Sequence, residues 1–442
     1  MKSWLKKHIP QAWLIAYHKG LAVFAAFWYG HPSDNLFVIG VTGTNGKSTT
    51  VNLIADVLRA TGEKVGLTST VNFRIGDKEW LNDKKMTMLG RFALQRLLRD
   101  MVSAKCRYAV IETSSEGLAQ FRHLGINYDV AVFLNLTPEH IESHGGFENY
   151  KAAKGNLFTH LMRFPKKSFD TTELPKTSVI NLDSPHAEYF LAFPADQKIG
   201  FRTTGTNSVV ADRIFDASAL QATQDGCRFM VDGVPFELAL LGGWNISNAL
   251  AAISVGSVFG IPLQNMRDAL ARIPGIPGRM ERIDEGQNFT VIVDYAPQPQ
   301  AVEKVYEFIK LIPHERIIHV LGSTGGGRDK SRRPKLGALA GSAAQVVIVT
   351  NEDPYDDDPM EIINQVAEGA VQAGKRDGVD LFRILNRRTA IEKAIEMAQP
   401  NDLVLLTGKG SEQAIVTKNL QKVPWDERDE ARRAIRARNE KV

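Results

Sequence analysis

The stretch Val38–Gly62, VIGVTGTNGKSTTVNLIADVLRATG, decides the fold. An apolar run over Leu36–Ile39 reads as a short buried strand, and a glycine-punctuated turn follows it. Val51, Leu53, Ile54, Val57 and Leu58 then recur at helical spacing over Ser48–Ala60. Strand, loop and helix in that order, with glycines at 40, 43 and 46, let backbone N–H groups converge on an anion at a helix N-terminus, where Lys47 adds a cation. Ser48 is placed to hold Mg²⁺ through its hydroxyl. Gly40 and Gly46 enclose five residues where the usual phosphate loop has four, so the pattern is met loosely. A plain glycine-rich turn with a solvated lysine is the competing reading. The run TNGKST favours an ATP site, with Gly43, Thr44, Asn45, Gly46, Lys47, Ser48 and Thr49 around the phosphates.

Working outward, 442 residues give room for about two or three domains, each with its own core. The apolar and charged fractions are those of a globular protein, and a formal charge of +4 is too small to argue for a nucleic-acid partner. Cys106 and Cys227 make neither a disulfide framework nor a zinc site, which fits a reducing cytoplasm. Residues 1–34 form an apolar helical segment. Its uninterrupted run, Leu21–Tyr29, is shorter than the roughly 20 residues that a membrane span requires. Two readings stay open for residues 1–30: a helix packed on its own domain, or peripheral membrane contact through an interfacial helix with Lys2, Lys6, Lys7, Trp4 and Trp13 at the lipid surface.

The fold expected is α/β throughout. RYAVIETSS, DVAVFLNLT, TSVINLDS and QKIGFRT read as buried strands separated by helical segments, which makes residues 35–274 a central P-loop-type ATPase domain on a mostly parallel sheet. Between Phe201 and Leu241 short alternating segments predict an antiparallel hairpin region on that domain. The glycine- and proline-rich IPGIPGRMERID marks a junction, and four further strands ending in glycine-rich or charged loops make residues 275–442 a C-terminal Rossmann-like α/β domain. The tail DERDEARRAIRARNEKV reads as a mixed-charge helical face.

Glu112 ends one buried strand and His140 lies just beyond another, which brings a carboxylate and an imidazole near the phosphate loop if those strands are neighbours. Read alone, each is more often structural than a metal ligand. Read together, GVTGTNGKST, ETSS, NLTPEHIESHG, YKAAKGNLF, NISNALAA, GRMERID, VDYA, GGGRDKSRRPKLG, TNEDP, GKGSE and PWDERDEARRAI occur in the order of the Mur ligase family, which the chain resembles from Val38 to its tail. These are ATP-dependent enzymes that add amino acids to the peptidoglycan precursor. The narrower likeness, on DVAVFLNLTPEHIESHG, GGRDKSRRP and GKGSE, is to the members that add the third residue of the stem peptide.

The resemblance implies roles for individual residues. Lys47 would hold the β- and γ-phosphates, while Ser48, Glu112, His140 and Lys154 would serve two Mg²⁺ sites. Lys154 in YKAAKGN matches the lysine that CO₂ converts to a carbamate, an anionic oxygen donor. Asn248 would lie by the adenine, and Arg279 and Asp294 would touch the nucleotide from the C-terminal domain, so that ATP sits between domains and closure completes the site. Ser114, Ser115, Arg122 and the loop Lys84–Arg91 would meet a muramoyl-L-Ala-D-Glu acceptor. Arg328, Asp329, Lys330, Asp353, Tyr355, Gly408 and Glu412 would also bind substrate, with Glu412 facing the ammonium group of the incoming free amino acid. The implied chemistry is attack of the acceptor carboxylate on the γ-phosphorus, then attack of an amine on the acyl phosphate.

Four departures accompany the resemblance. The family's uridine-binding domain has no counterpart ahead of Gly40. Glu116 and Pro297 stand where histidines are usual. KKMTMLGRF only partly matches a Thr-Thr-Pro substrate loop. Tyr355 replaces the arginine of Asp-Asn-Pro-Arg, which clamps the distal carboxylate of diaminopimelate. Diaminopimelate and lysine therefore both stay open as the added amino acid. A folylpolyglutamate-synthetase-like ligase and a non-catalytic nucleotide-binding subunit of a wall-synthesis complex are the alternative functions.

Overall fold

Strand β1 (Phe37–Thr42) is buried at all six positions. Only a strand covered on both faces and flanked on both edges accepts an uninterrupted apolar run of this kind. In the computed structural model, which describes residues 11–138, 144–169, 172–204 and 210–441, β1 lies inside an eleven-stranded sheet. His140, Lys2, Trp4, Lys6 and Lys7 fall outside the described residues.

β1 pairs in parallel with β5 (Tyr108–Glu112) on one side and β6 (Val130–Phe133) on the other. On the β5 side follow β2 (Val65–Thr68), in parallel, and the antiparallel β3 (Asn72–Ile75) and β4 (Lys78–Leu81). The sequence reading had no strands there, because these segments are short and β4 is polar and lies at an edge. On the β6 side follow β7 (Thr177–Asn181) and β8 (Gln197–Arg202), both parallel. The alternating segments after Phe201 become β9 (Arg213–Thr223), β10 (Gly226–Val231) and β11 (Val234–Leu238), which continue the same sheet to its other edge. Helices α2 (Lys47–Arg59), α3 (Arg91–Ser103) and α5 (Phe147–Leu161) cover it, with the short α4 (Ser115–Ala119) ahead of α5.

The N-terminal segment forms α1 (Gln11–Trp28), which packs on α3 through Ala22, Ala25 and Ala26, all buried. Gly125 faces it so closely that a Cβ there would stand 2.7 Å from Ala26 Cβ.

The edge of the sheet where β1, β6 and β7 begin is fastened by one carboxylate. Asp129, fully buried, accepts from Val38 N at 2.8 Å, Lys167 Nζ at 2.5 Å and Lys176 Nζ at 3.0 Å. Burial pulls the Lys167 ammonium down to about 8, against the pull of Asp129.

The chain divides into two compact units. The first holds the residues up to Gln221 with Arg228–Leu238 and Trp244–Ile273; the second holds Ala222–Cys227, Ala239–Gly243 and Pro274–Val442. The second unit has a six-stranded sheet in the order β12 (Glu281–Arg282), β13 (Thr290–Val293), β17 (Leu403–Leu406), β14 (Ile317–Leu321), β15 (Val346–Thr350), β16 (Leu381–Ile384). Only β12 is antiparallel to its neighbour. β12 and β16 were not foreseen. The last helix, Glu427–Asn439, is more than a solvated charged face: Glu427 is fully buried and accepts from the buried Arg387, while Ala431 and Ile435 enter the core.

Removing Asp129 leaves two buried ammonium groups without their carboxylate. Asp129→Ala should therefore destabilise the first unit by about 3–5 kcal/mol, read by chemical denaturation. A loss below about 1 kcal/mol would show that the lysines find other partners.

Candidate active site

The parallel strands β1, β5 and β6 end side by side, and the chemistry-bearing residues of the first unit sit in the loops at those ends. After β1 the chain turns through Gly43–Gly46 into α2. Gly46 takes φ 82°, and a Cβ there would meet Asn248 Oδ1 at 2.4 Å, so both backbone conformation and space exclude a side chain. Lys47 Nζ donates to Thr44 O at 2.7 Å, resting on its own loop. Asn135, at the end of β6, grips the loop: its Oδ1 accepts from Thr44 N at 3.0 Å and Asn45 N at 2.9 Å. Thr44 Oγ1 lies 3.0 Å from Tyr150 OH and accepts from Thr137 N at 3.0 Å. Thr49 is buried at the start of α2.

Glu112 stands opposite Val41 in the sheet register, with 1% of its surface exposed. Ser48 Oγ donates to it at 2.8 Å, Thr70 N at 2.7 Å and Thr70 Oγ1 at 3.0 Å. These donors are all neutral, and among the described residues no cationic side chain forms an ion pair with this buried carboxylate. Lys154 lies one turn from Tyr150 on one side and from Phe158 on the other, within the buried face of α5. Its Nζ donates to Gly43 O at 2.7 Å and stands 4.5 Å from the centre of the Tyr150 ring. The structure thus gathers Lys47, Ser48, Glu112 and Lys154 around one loop.

Thr70 carries the arrangement further, because its hydroxyl oxygen also lies 3.0 Å from Thr87 Oγ1, inside the loop Lys84–Arg91, and can accept from it. Arg122 donates to Met88 O of that loop and to Gln120 Oε1. Ser114 caps α4, accepting from Gly117 N, and Ser115 Oγ is 3.1 Å from His144 Nε2. Burial holds the His144 imidazole below its ordinary pKa. Asn248, buried on the helix Trp244–Val258, accepts from Thr50 Oγ1 at 3.2 Å, which sets it directly under the phosphate loop.

The second unit has its own cluster at the ends of β13, β14, β15 and β17. Asp294 is buried and accepts from Met280 N and Ala296 N, and burial raises its carboxyl above the usual range against the charge of Arg279. Arg279 stacks on Tyr295 at 4.6 Å. Gly278 (φ 62°) lies against the Gly410–Ser411 backbone with no room for a Cβ, which joins this turn to GKGSE. Lys409 is fully buried and donates to Asp353 Oδ1 at 3.0 Å, Glu412 Oε2 at 2.7 Å and Ala414 O at 2.8 Å. Burial lowers its pKa, but the two carboxylates outweigh that and the net shift is upward. Tyr355, at φ 54°, is half-buried with the exposed Arg328 over its ring at 5.9 Å. Gly408 approaches Glu352, whose carboxyl is raised by burial. Asp329 accepts from Ser331, and Lys330 is exposed.

Residues 41–256 match the Mur ligase middle domain, and residues 278–410 match the Mur ligase glutamate ligase domain. A UDP-N-acetylmuramyl-tripeptide synthetase of Roseiflexus sp. (strain RS-1) is 42% identical over 422 residues, covering 94% of this chain and 81% of the relative. The chain belongs to the Mur ligase family. A UDP-N-acetylmuramoyl-L-alanyl-D-glutamate–2,6-diaminopimelate ligase of Geobacillus kaustophilus (strain HTA426) is 34% identical over 440 residues, 98% of this chain and 86% of the relative. Among solved structures, one such diaminopimelate ligase aligns at TM-score 0.59 and 30% identity over 91% of this chain and 79% of the other. A folylpolyglutamate synthase of Mycobacterium tuberculosis aligns at TM-score 0.66 but 17% identity, over 88% and 92% of the two chains, and so shares the fold.

In this Mur ligase the sequence reading passed over Asn135, Thr70, Tyr150 and Lys409. Asn135 ends an apolar strand and Lys409 sits between two glycines, which are the signals that would have marked them. Thr70 and Tyr150 carry no local mark, because their roles depend on strand neighbours distant in sequence.

Gly46→Ala places a methyl group against Asn248 in a left-handed backbone. It should weaken nucleotide binding at least about tenfold in a titration of ATP while the thermal transition moves little. Adding Asn248→Ala, which clears the space, should return part of that affinity; unchanged ATP binding in Gly46→Ala would remove the loop from the nucleotide site.

Proposed function

We propose that this Mur ligase adds a free amino acid, diaminopimelate or lysine, to a muramoyl-L-Ala-D-Glu acceptor at the expense of ATP. The observation that carries the proposal is the convergence of Lys47, Ser48, Glu112 and Lys154 on the Gly43–Gly46 loop. The names of the relatives described above support the choice of acceptor. The working domains are residues 35–274 and 275–442, with 1–34 as a separate segment. The protein works in the cytoplasm, with peripheral membrane contact through residues 1–30.

The acceptor carboxylate attacks the γ-phosphorus, its oxygen–phosphorus bond forming as the bond to ADP breaks. The amine of the incoming amino acid then attacks the acyl carbon, phosphate leaves, and the ammonium proton is lost to solvent. Lys47 exchanges its contact with Thr44 O for the phosphates and neutralises charge during transfer. Arg122 and the Lys84–Arg91 loop orient the acceptor, and Asp353 and Glu412, the two carboxylates that flank the buried Lys409, receive the ammonium group of the amino acid. Tyr355 cannot form the charged fork of an arginine, which opens this end of the site to a side chain without a distal carboxylate.

The residues fit Mg²⁺: Ser48 and Glu112 offer hard oxygens, and Glu112 is a buried anion whose described donors are all neutral. Bound there, the metal supplies charge neutralisation at the phosphates. Lys154 fits carbamylation, since its buried amine reaches the phosphate loop; amine and CO₂ give a carbamate and a proton, adding anionic oxygens beside Gly43.

Phosphate release measured over combinations of acceptor peptide and amino acid tests the function. It should require ATP, a muramoyl dipeptide and one amino acid together, and the amino acid that works fixes the specificity. Hydrolysis indifferent to both, or ATP binding without any hydrolysis, would leave a nucleotide-binding protein in place of a ligase. Lys47→Ala and Lys154→Ala should each lower turnover about 10²–10³-fold in a folded protein. Acetate should partly rescue Lys154→Ala alone, by standing in for the carbamate oxygens.

A further inference from the structure

The helix α1 shows two unlike faces. Ala22, Ala25 and Ala26 are buried against the first unit, while Trp13, Tyr17, Phe24, Phe27 and Trp28 are exposed, from 48% at Phe24 to 74% at Trp13. Spacings of four, seven, three and one put these five rings on one stripe, with Gly20 between them leaving the stripe flush. Phe92 of α3 extends it, its ring 6.2 Å from that of Phe24. A core helix turns its large side chains inward, and this one buries three alanines and leaves its largest rings out. Single exposed apolar residues are ordinary, but a contiguous aromatic stripe marks a surface made to be covered.

We propose that this stripe seats the protein on a lipid bilayer bearing anionic headgroups. The proposal deepens the peripheral contact stated above and is independent of the ligase chemistry. Tryptophan and tyrosine favour the headgroup level, where an apolar ring and a polar N–H or O–H are both satisfied. No helix among the described residues is long and apolar enough to cross a membrane, so α1 lies along the surface.

Charge selects the occupant. Residues 1–33 carry Lys2, Lys6, Lys7 and Lys19 and no acidic residue, the first being Asp34. Lys19 is exposed on α1, its amine 4.9 Å from the Phe121 ring, and Arg96 and Arg99 are exposed one and two turns beyond Phe92 on α3. Anionic headgroups answer this charge, each nearby lysine or arginine adding to binding. A second copy docking by the same face would instead bring two sets of lysines together.

Sedimentation of the full-length protein with vesicles tests this. Binding should be strong to phosphatidylcholine containing about 30 per cent phosphatidylglycerol, weak to phosphatidylcholine alone, and reduced by salt. Phe27→Glu with Trp28→Glu should lower partitioning at least about tenfold, and Trp13→Ser with Tyr17→Ser should lower it by a similar factor without adding charge. Both pairs are solvent-exposed, so an unchanged thermal transition is expected and certifies the comparison. Full-length protein that stays in the supernatant with anionic vesicles overturns the proposal. So does a concentration-dependent dimer that these substitutions dissolve while vesicle binding is absent. Because no turnover is measured, an inactive enzyme that still binds vesicles would count against the ligase reading alone.

Discussion

A carboxylate taken out of water must be answered by hydrogen bonds or by charge, and Glu112 is the point where this requirement organises the first unit. Its oxygens draw in Ser48 from the start of α2 and Thr70 from the end of β2, and Thr70 in turn reaches Thr87 in the Lys84–Arg91 loop. Three segments far apart in sequence are fixed to one another by a group whose charge the described donors leave uncompensated. Neutral donors stabilise such a carboxylate without cancelling it. The same group therefore does two things: it holds these segments together, and it keeps a buried negative charge beside the Gly43–Gly46 loop.

The phosphate loop is kept in shape from both sides of β1. Asn135 spends its carbonyl oxygen on the two N–H groups of Thr44 and Asn45, and Asn248 fills the space that Gly46 leaves open. At the opposite end of the same strands, Asp129 with Lys167 and Lys176 fastens the starts of β1, β6 and β7. Clamping the far edge fixes the register of the central strands, and register decides that Glu112 falls beside Val41, within reach of Ser48. The second unit repeats the arrangement with a different chemistry. There a buried lysine, Lys409, holds two carboxylates in place of a carboxylate holding neutral donors.

Much of this was legible in residue order. The strand–loop–helix around Gly46 and the strand-end position of Glu112 lie in local patterns, since a helix or a buried strand advertises itself by spacing, whereas Lys154 of YKAAKGNLF was marked by the family likeness. The short strands β2, β3, β4, β12 and β16 were not legible, because two to four residues carry no period. The tail reads in sequence as a mixed-charge helical face, and the structure buries Glu427 of that helix against Arg387. A charge pair buried between distant segments looks, in sequence, like any two charges. His140 lies outside the described residues, and its role rests on the family likeness alone.

The sequence by itself determined the α/β class and the strand–glycine loop–helix that opens the first unit, because these follow from local spacing, while the groups proposed for phosphate transfer came from the family likeness. It also determined that the N-terminal helix is too short and too interrupted to cross a bilayer. Only the tertiary structure decided which side of that helix is covered, since alanines and aromatic rings recur at the same helical interval and either face could have been the inner one. It alone decided, too, that Asn135, Thr70 and Lys409 hold the two clusters in place. Hydrogen bonds between strand ends depend on strand order and register, and those are set by the packing of the whole sheet.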